Sequence, residues 1–169
     1  IDFEDKQADG NVLYDQAGNI LYASLWYSAE ECQSTAAGFA PGTMELKVTW
    51  MSLPKADPSY FTIEAVLPGE KTTSTLAMVG FHLVSWTSKH PEMIWASFEH
   101  KKNAPLCNGT SGSGPFSFAS EDAAACLAKN ARPGTSGPPP AACASFSFNT
   151  APVITGNPPP KGNPVNVCR

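Results

Sequence analysis

Residues 76 to 100 constrain the fold more than any other part of the chain. Residues 76 to 87 and 93 to 100 are two runs rich in large apolar side chains, and the polar stretch from Ser88 to Glu92 separates them. Two β-prone runs joined by a short polar segment are typical of a β-hairpin. We therefore predict that the two runs are antiparallel neighbours and that Ser88 to Glu92 forms their loop.

The length of this loop determines which residues face His82. If Ser88 to Glu92 is the whole loop, His82 lies opposite Phe98 and diagonal to His100. Diagonal neighbours in a sheet are about 7 to 8 Å apart, which long side chains can span. A register that differs by one residue turns the second strand over and places Glu99 opposite His82 instead. Both registers remain open from the sequence.

The hairpin contains the first set of candidate site residues, which is His82, Glu99 and His100. Because His82 lies inside an apolar strand, we expect it to be buried, and a buried imidazole needs a polar partner. Imidazoles and carboxylates bind transition metals, so His82 and His100 are candidate ligands of a divalent metal ion. The same three residues are candidates for acid-base catalysis, because histidine titrates near neutral pH. The alternative is a structural role in which backbone or lysine groups satisfy them.

Aromatic residues give the second set of candidates. Rings exposed on a sheet face stack on sugars and other flat ligands, whereas buried rings only fill the core. Trp50 continues an apolar pattern and is expected in the core. Trp95 shares its side of the strand with Ser97 and Glu99, so it is the candidate for an exposed binding residue.

The rest of the chain indicates short strands and little helix. Alternating or β-prone residues predict an opening hairpin and two further strands, and serine-capped segments predict two short helices. These elements cover residues 1 to 27, 43 to 51 and 60 to 67 for the strands, and 28 to 37 and 120 to 130 for the helices. A Pro/Gly-rich arm follows at residues 151 to 169. We predict a mainly β fold, an antiparallel β-sandwich or jelly-roll-like single domain over residues 1 to 150 with the arm packed on it.

Charge and cysteine usage narrow the possible partners and the compartment. A net charge of -4 with 11 Lys and Arg residues argues against nucleic acid as a partner. No apolar run has the roughly 20 residues that a membrane-spanning helix needs. The five cysteines are dispersed without a Cys-x-x-Cys spacing, so disulfides are favoured over zinc or haem attachment. This usage is typical of a secreted or periplasmic protein.

Cysteine positions also predict particular bonds. Cys126 and Cys143 bracket a Pro-rich loop and are a plausible pair, and Cys168 is a candidate to tie down the arm. An odd number of cysteines leaves one thiol free or bonded to a disulfide-linked partner. Because the chain begins at Ile1 rather than Met, we also expect an upstream segment or signal peptide.

Several segments carry a resemblance to known proteins, namely Glu45 to Trp50, Gly80 to His82, Pro91 to His100 and Asn103 to Pro105, with a weaker match at Asp9 to Asp15. In these segments the chain resembles a family of secreted bacterial proteins without an assigned activity, some of which are labelled cytochrome-c-associated. The chain has no Cys-x-x-Cys-His sequence, so the resemblance does not extend to haem attachment. The resemblance assigns no roles, but it directs attention to Lys47, Trp50, His82, Trp95, Glu99, His100 and Asn103. Lys47 and Asn103 are our further candidates for ligand binding, beside Trp95.

Two functions follow from these observations. The first is a ligand-binding domain, with a glycan or small molecule bound near Trp95, Lys47 and Asn103. The second is an enzyme, either metal-dependent or an acid-base catalyst, that uses His82, Glu99 and His100. The first requires exposed rings on a preformed surface, and the second requires His82 and its partners to converge.

Overall fold

The computed structural model describes residues 3–4, 13–34, 38–109, 114–130, 140–143, 145–146, 148–149 and 166–167. The chain forms two compact units. Unit 1 comprises Ile1–Asp5 and Tyr22–His100, and unit 2 comprises Lys6–Leu21 and Lys101–Arg169.

A six-stranded sheet makes up most of the described secondary structure. Its strands are β1 (Phe3–Glu4), β2 (Leu21–Tyr27), β3 (Met44–Leu53), β4 (Thr62–Val66), β5 (Thr73–Thr87) and β6 (His90–Glu99). The strand order is β1-β2-β3-β5-β4, and β6 also pairs with β5. The pairings of β1 with β2 and of β5 with β3, β4 and β6 are antiparallel. The predicted mainly antiparallel β fold is confirmed.

β5 holds unit 1 together because it pairs along both of its edges. One edge pairs with β3 over most of its length, from Thr75 to Ser85. On the other edge, residues Thr73 to Ala77 pair with β4 and residues from Gly80 to Thr87 pair with β6. β4 and β6 therefore lie end to end beside β5, each with one neighbour in the described part of the sheet.

The core of unit 1 lies on one face of this sheet. Its buried residues are Val48, Trp50, Leu67 and Leu76, with Leu46 and Phe81 among the partly buried side chains packed against them. The predicted burial of Trp50 is confirmed, since only 3% of it is exposed.

A buried serine satisfies the indole of Trp50. The Oγ atom of Ser24 accepts hydrogen bonds from Trp50 Nε1 at 2.8 Å and from Trp26 Nε1 at 2.9 Å. Ser24 is 1% exposed, so its hydroxyl supplies the acceptor that these donors need away from water.

One of the two predicted helices is wrong. The segment predicted as a helix from 28 to 37 contains only a 3-10 turn, Glu31–Gln33, and residues 35 to 37 lie outside the described part. Ser28 Oγ does accept from the Glu31 amide at 3.3 Å, but it also accepts from the Met44 amide at 3.0 Å. The turn then ends at Ser34, which is extended. The capping serine thus also anchors the start of β3.

The second predicted helix is confirmed in unit 2. Helix α1 spans Glu121–Lys129, and the Ser120 side chain caps it by accepting from the Ala123 amide at 3.2 Å. Its inward face is made of Ala123, Ala124 and Leu127, all 0% exposed. A second 3-10 turn, Ala141–Cys143, and two short parallel strands, β7 (Phe148–Asn149) and β8 (Asn166–Val167), complete the described elements.

Disulfides stabilise unit 2. The predicted bond between Cys126 and Cys143 is present and joins α1 to the 3-10 turn. Cys107 is also disulfide-bonded, whereas Cys32 in unit 1 is a free, exposed thiol. Cys168 and most of the predicted arm at 151 to 169 lie outside the described residues. No helix in the described ranges is both long enough and apolar enough to cross a membrane.

Removing the Cys126–Cys143 bond should destabilise the protein. The bond closes a loop with a sequence separation of 17. Closing a loop of this length lowers the entropy of the unfolded chain, which corresponds to about 3 kcal/mol of stability. We expect Cys126→Ser with Cys143→Ser to lower the free energy of unfolding by that amount in urea titrations. Cys32→Ser is the matched control and should change it by less than about 0.5 kcal/mol. Equal effects of the two changes would contradict the assignment.

Candidate functional site

The β5–β6 hairpin has neither of the two predicted registers. His82 lies opposite Ser97, Phe81 opposite Phe98, and Gly80 opposite Glu99. The expectation that His82 faces Phe98 or Glu99 is therefore wrong. The prediction that the two segments are antiparallel neighbours is confirmed.

A shorter loop and a bulge cause this difference. Thr87 pairs with His90, so only Ser88 and Lys89 form the loop, and the amide of His90 donates to Thr87 Oγ1 at 3.1 Å. Between the pairs Thr87–His90 and Ser85–Ile94, residues 91 to 93 of β6 face the single residue 86 of β5. Met93 absorbs the extra length in a left-handed backbone conformation, with φ of 67°. Such a bulge changes which side chains of a strand face each side of the sheet.

The resulting register brings polar side chains from three strands onto one surface, which we call the polar face. Paired residues in an antiparallel sheet point to the same side, and alternate residues along a strand share that side. The polar face consists of three rows across β3, β5 and β6, which are Glu45–Val84–Trp95, Lys47–His82–Ser97 and Thr49–Gly80–Glu99. Four of the predicted site residues lie on it, namely Lys47, His82, Trp95 and Glu99.

The β6 side of the polar face is open to solvent. Trp95 is 72% exposed, the largest exposed fraction among the large hydrophobic residues described. His82, Ser97 and Glu99 are also exposed, whereas Lys47 is half-buried. The expectation that His82 is a buried imidazole is therefore wrong. Its strand is apolar in sequence, but its side chain points away from the core of unit 1.

His82 has a partner that the sequence did not identify. Its Nδ1 atom lies 2.7 Å from Ser97 Oγ, a hydrogen bond in which the tautomer decides the donor. The only signal for Ser97 in the sequence was its position between Trp95 and Glu99 on the same side of β6. That signal became informative only once the register was known.

His100 has a different environment. Its Nε2 atom donates to the Ser59 carbonyl at 2.9 Å, and its ring stacks on Tyr60 with 3.9 Å between centroids. Its amide donates to the Val79 carbonyl at 2.9 Å, which continues the β5–β6 ladder. Because side chains alternate along the strand, His100 lies on the same face of the sheet as Phe98, and His82 lies on the other face. His100 therefore joins the end of β6 to the loop before β4, and the structure does not bring it together with His82.

Two further predictions concern metal binding and Asn103. Within the described ranges there is no group of three or more His, Cys, Asp or Glu side chains arranged to hold a metal ion. Asn103 belongs to unit 2, where it is 6% exposed and its carbonyl accepts from the Phe118 amide at 2.8 Å.

The charges of the polar face are not paired within it. The salt bridge found in the described part of the chain joins His90 to Glu92 at the tip of the hairpin, with 3.1 Å between Nδ1 and Oε1. A backbone hydrogen bond, and then the hydrogen bond from His90, lower the pKa of Glu92. Lys47, Glu45 and Glu99 take part in no such bridge in this part of the chain.

Gly80 is the only one of the nine polar-face residues that has no side chain. A Cβ atom at Gly80 would lie 2.9 Å from the Phe98 carbonyl oxygen, because β6 passes close to the backbone of β5 at this point.

Comparisons of the chain with models of known protein families, with curated proteins and with solved structures find no match. The resemblance to secreted bacterial proteins therefore stays a prediction.

The close approach at Gly80 predicts a specific loss of stability. Gly80→Ala should push β6 away from β5 and lower the free energy of unfolding by about 1 to 3 kcal/mol. Urea unfolding followed by circular dichroism measures this change. Thr49→Ala, at the neighbouring position in the same row, should have an effect of no more than about 0.5 to 1 kcal/mol. If Gly80→Ala is as stable as the unmodified chain, the strand spacing is not as described.

The two histidines should differ in their contribution to stability. His100→Ala removes a hydrogen bond and a ring stack and should cost about 1 to 2 kcal/mol in urea unfolding. His82→Ala removes an exposed side chain and should cost about 0.5 kcal/mol or less. The reverse order would contradict the roles assigned here.

Proposed function

We propose that this protein is a secreted or periplasmic ligand-binding protein whose polar face binds a glycan. The observation that carries the proposal is the exposure of Trp95, 72%, at the β6 edge of the polar face, on the same side of the strand as Ser97. A tryptophan exposed in this way leaves a large apolar surface in water, which a ligand can cover.

The composition of the polar face fits the chemistry of sugars. A sugar ring has apolar C–H faces that stack on aromatic rings and hydroxyl groups that both donate and accept hydrogen bonds. Beside Trp95, the Ser97 hydroxyl and the His82 imidazole can do both, Lys47 donates, and Glu99 accepts. A ligand of this kind would use both the stacking surface and the hydrogen-bonding groups beside it.

The shape of the polar face also fits a chain of sugars. Three adjacent strands at about 4.8 Å spacing give a surface about 10 Å wide. Three rows at alternate residues extend it by about 14 Å along the strands. This flat area accommodates a few sugar units laid across the sheet and does not enclose them.

Disulfide bonding supports the proposed location outside the cytosol. The bond between Cys126 and Cys143, and the further bond of Cys107, are stable in oxidising compartments and rare in the cytosol. An extracellular or periplasmic compartment is also where polymeric glycans are encountered.

Binding of soluble oligosaccharides, measured by isothermal titration calorimetry with the full chain, tests the proposal. Trp95→Ala should weaken binding by about 10- to 100-fold, because a stacking contact of about 1.4 kcal/mol or more is lost. Phe61→Ala is the matched control, since Phe61 is 62% exposed and lies on the other side of the sheet, with its ring centroid 6.4 Å from that of Trp50, and it should leave the affinity unchanged. No binding across a panel of neutral and acidic oligosaccharides would overturn the proposal, as would equal losses in the two variants.

Acid-base catalysis is a second candidate, favoured by the 2.7 Å contact between His82 and Ser97. A hydroxyl hydrogen-bonded to an imidazole is the arrangement of a nucleophile beside its base. Catalysis benefits from a water-excluded, preorganised site, whereas His82, Ser97 and Glu99 are all exposed, so binding is the better-supported function. Turnover of ester and glycoside substrates that is lost in both His82→Ala and Ser97→Ala would favour the enzyme.

A further inference from the structure

The outer edge of β6 is free to form backbone hydrogen bonds. The His100 amide donates to β5, so alternation directs the amides and carbonyls of the even-numbered residues of β6 toward β5. The odd-numbered residues Trp95, Ser97 and Glu99 then direct theirs away from the sheet. None of residues 94 to 99 makes a backbone hydrogen bond outside the strand ladder within the described part of the chain.

This edge lacks the features that usually protect an edge strand. Proline, charged residues and bulges normally prevent such strands from pairing with other chains. In β6, Pro91 and the bulge at Met93 protect only the first residues. Residues 94 to 98 contain no charge and no proline, and Ile94, Trp95 and Phe98 are 46%, 72% and 51% exposed.

We propose that residues 94 to 98 of β6 pair antiparallel with the same segment of a second copy of this chain, across a twofold axis at Ala96. In this register Ile94 lies opposite Phe98 of the second copy, and Phe98 lies opposite its Ile94. The apolar side chains on the core side of the sheet then cover one another. The small side chain of Ala96 lies at the axis, where it faces Ala96 of the second copy.

The backbone geometry agrees with this register. A twofold axis perpendicular to the sheet keeps each face of one copy continuous with the same face of the other. Trp95 therefore lies opposite Ser97 of the second copy, and both have outward-directed backbone groups. Each Trp95–Ser97 pair can exchange two backbone hydrogen bonds, as in an antiparallel ladder. Registers centred on Trp95 or Ser97 form no contact between Ile94 and Phe98.

The amount of surface involved indicates how strong the dimer is. From their exposed fractions, Ile94 and Phe98 offer about 200 Å² of side-chain surface per copy. Two copies thus cover about 400 Å² of side chain plus the strand backbones, less than the roughly 1,200 to 2,000 Å² of a stable interface. The dimer is therefore reversible and depends on protein concentration. Each copy has one β6 edge, so pairing stops at two copies.

Sedimentation velocity of the full chain, from about 5 to about 500 µM, tests the proposal, because a reversible dimer depends on concentration. The expected result is a monomer–dimer equilibrium that saturates at two copies. Ile94→Lys and Phe98→Glu should each weaken the dimer by at least about tenfold. Val66→Lys is the control, since Val66 is 53% exposed on the other edge strand, β4, and it should associate like the unmodified chain.

Charge pairing tests the register. An equimolar mixture of Ile94→Lys and Phe98→Glu chains should recover dimers, because one contact becomes Lys opposite Glu and the other stays Ile opposite Phe. A chain with both substitutions should dimerise by itself, since both contacts become Lys opposite Glu. Thermal melts confirm that each variant is folded. If Phe98→Glu is unfolded, Ser97→Pro replaces it, because it removes an outward amide, and it should abolish the dimer while the fold survives.

Three results would overturn the proposal. These are a monomer at every concentration, association that Ile94→Lys and Phe98→Glu leave unchanged, and growth beyond two copies. Failure of the mixture to recover dimers would overturn the register. Each of these results is independent of glycan binding.

Discussion

The pairing of β5 along both edges is the interaction on which unit 1 depends. One edge of β5 pairs with β3, and its other edge pairs first with β4 and then with β6. A strand that is paired on both sides has its backbone N–H and C=O groups hydrogen-bonded within the sheet. Its side chains can therefore be apolar along one part of the strand and polar along another. Its first half supplies Leu76 to the core, and its second half carries His82 on the exposed polar face. The core and the candidate site are thus built on one continuous strand.

The sequence predicted the existence of this hairpin but not its register. Alternating apolar residues identify strands reliably, and the runs before Thr87 and after Met93 are unambiguous. The loop was misjudged because Pro91 and Glu92 do not resemble strand residues, and because nothing in the sequence marks Met93 as left-handed. Since side chains alternate with a period of two, the observed register exchanges the faces of β6 relative to the first prediction and shifts β6 by two residues relative to the second, so Ser97 replaces Phe98 or Glu99 as the partner of His82.

Other predictions succeeded or failed for similar physical reasons. The Cys126–Cys143 bond was predictable because the two residues bracket one loop, so they are close in the chain. The helix at residues 28 to 37 was wrong because the Ser28 hydroxyl also accepts a bond from Met44, which is distant in sequence. The pairing of His82 with His100 failed in the same way, because Ser59 and Tyr60, in the loop before β4, supply the partners of His100. Local patterns specify elements, whereas contacts between distant segments decide what each side chain meets.

The hydroxyl of Ser24 limits which substitutions this sequence can accept. It accepts from the indoles of both Trp50 and Trp26, so its two lone pairs are engaged at once. Loss of the hydroxyl would leave two donors without an acceptor, and one of them lies in the core. Replacement of either tryptophan alone would leave a buried hydroxyl only partly satisfied. In evolutionary terms, positions 24, 26 and 50 form a linked set, and substitutions at any one of them are expected to persist only when the others change to match.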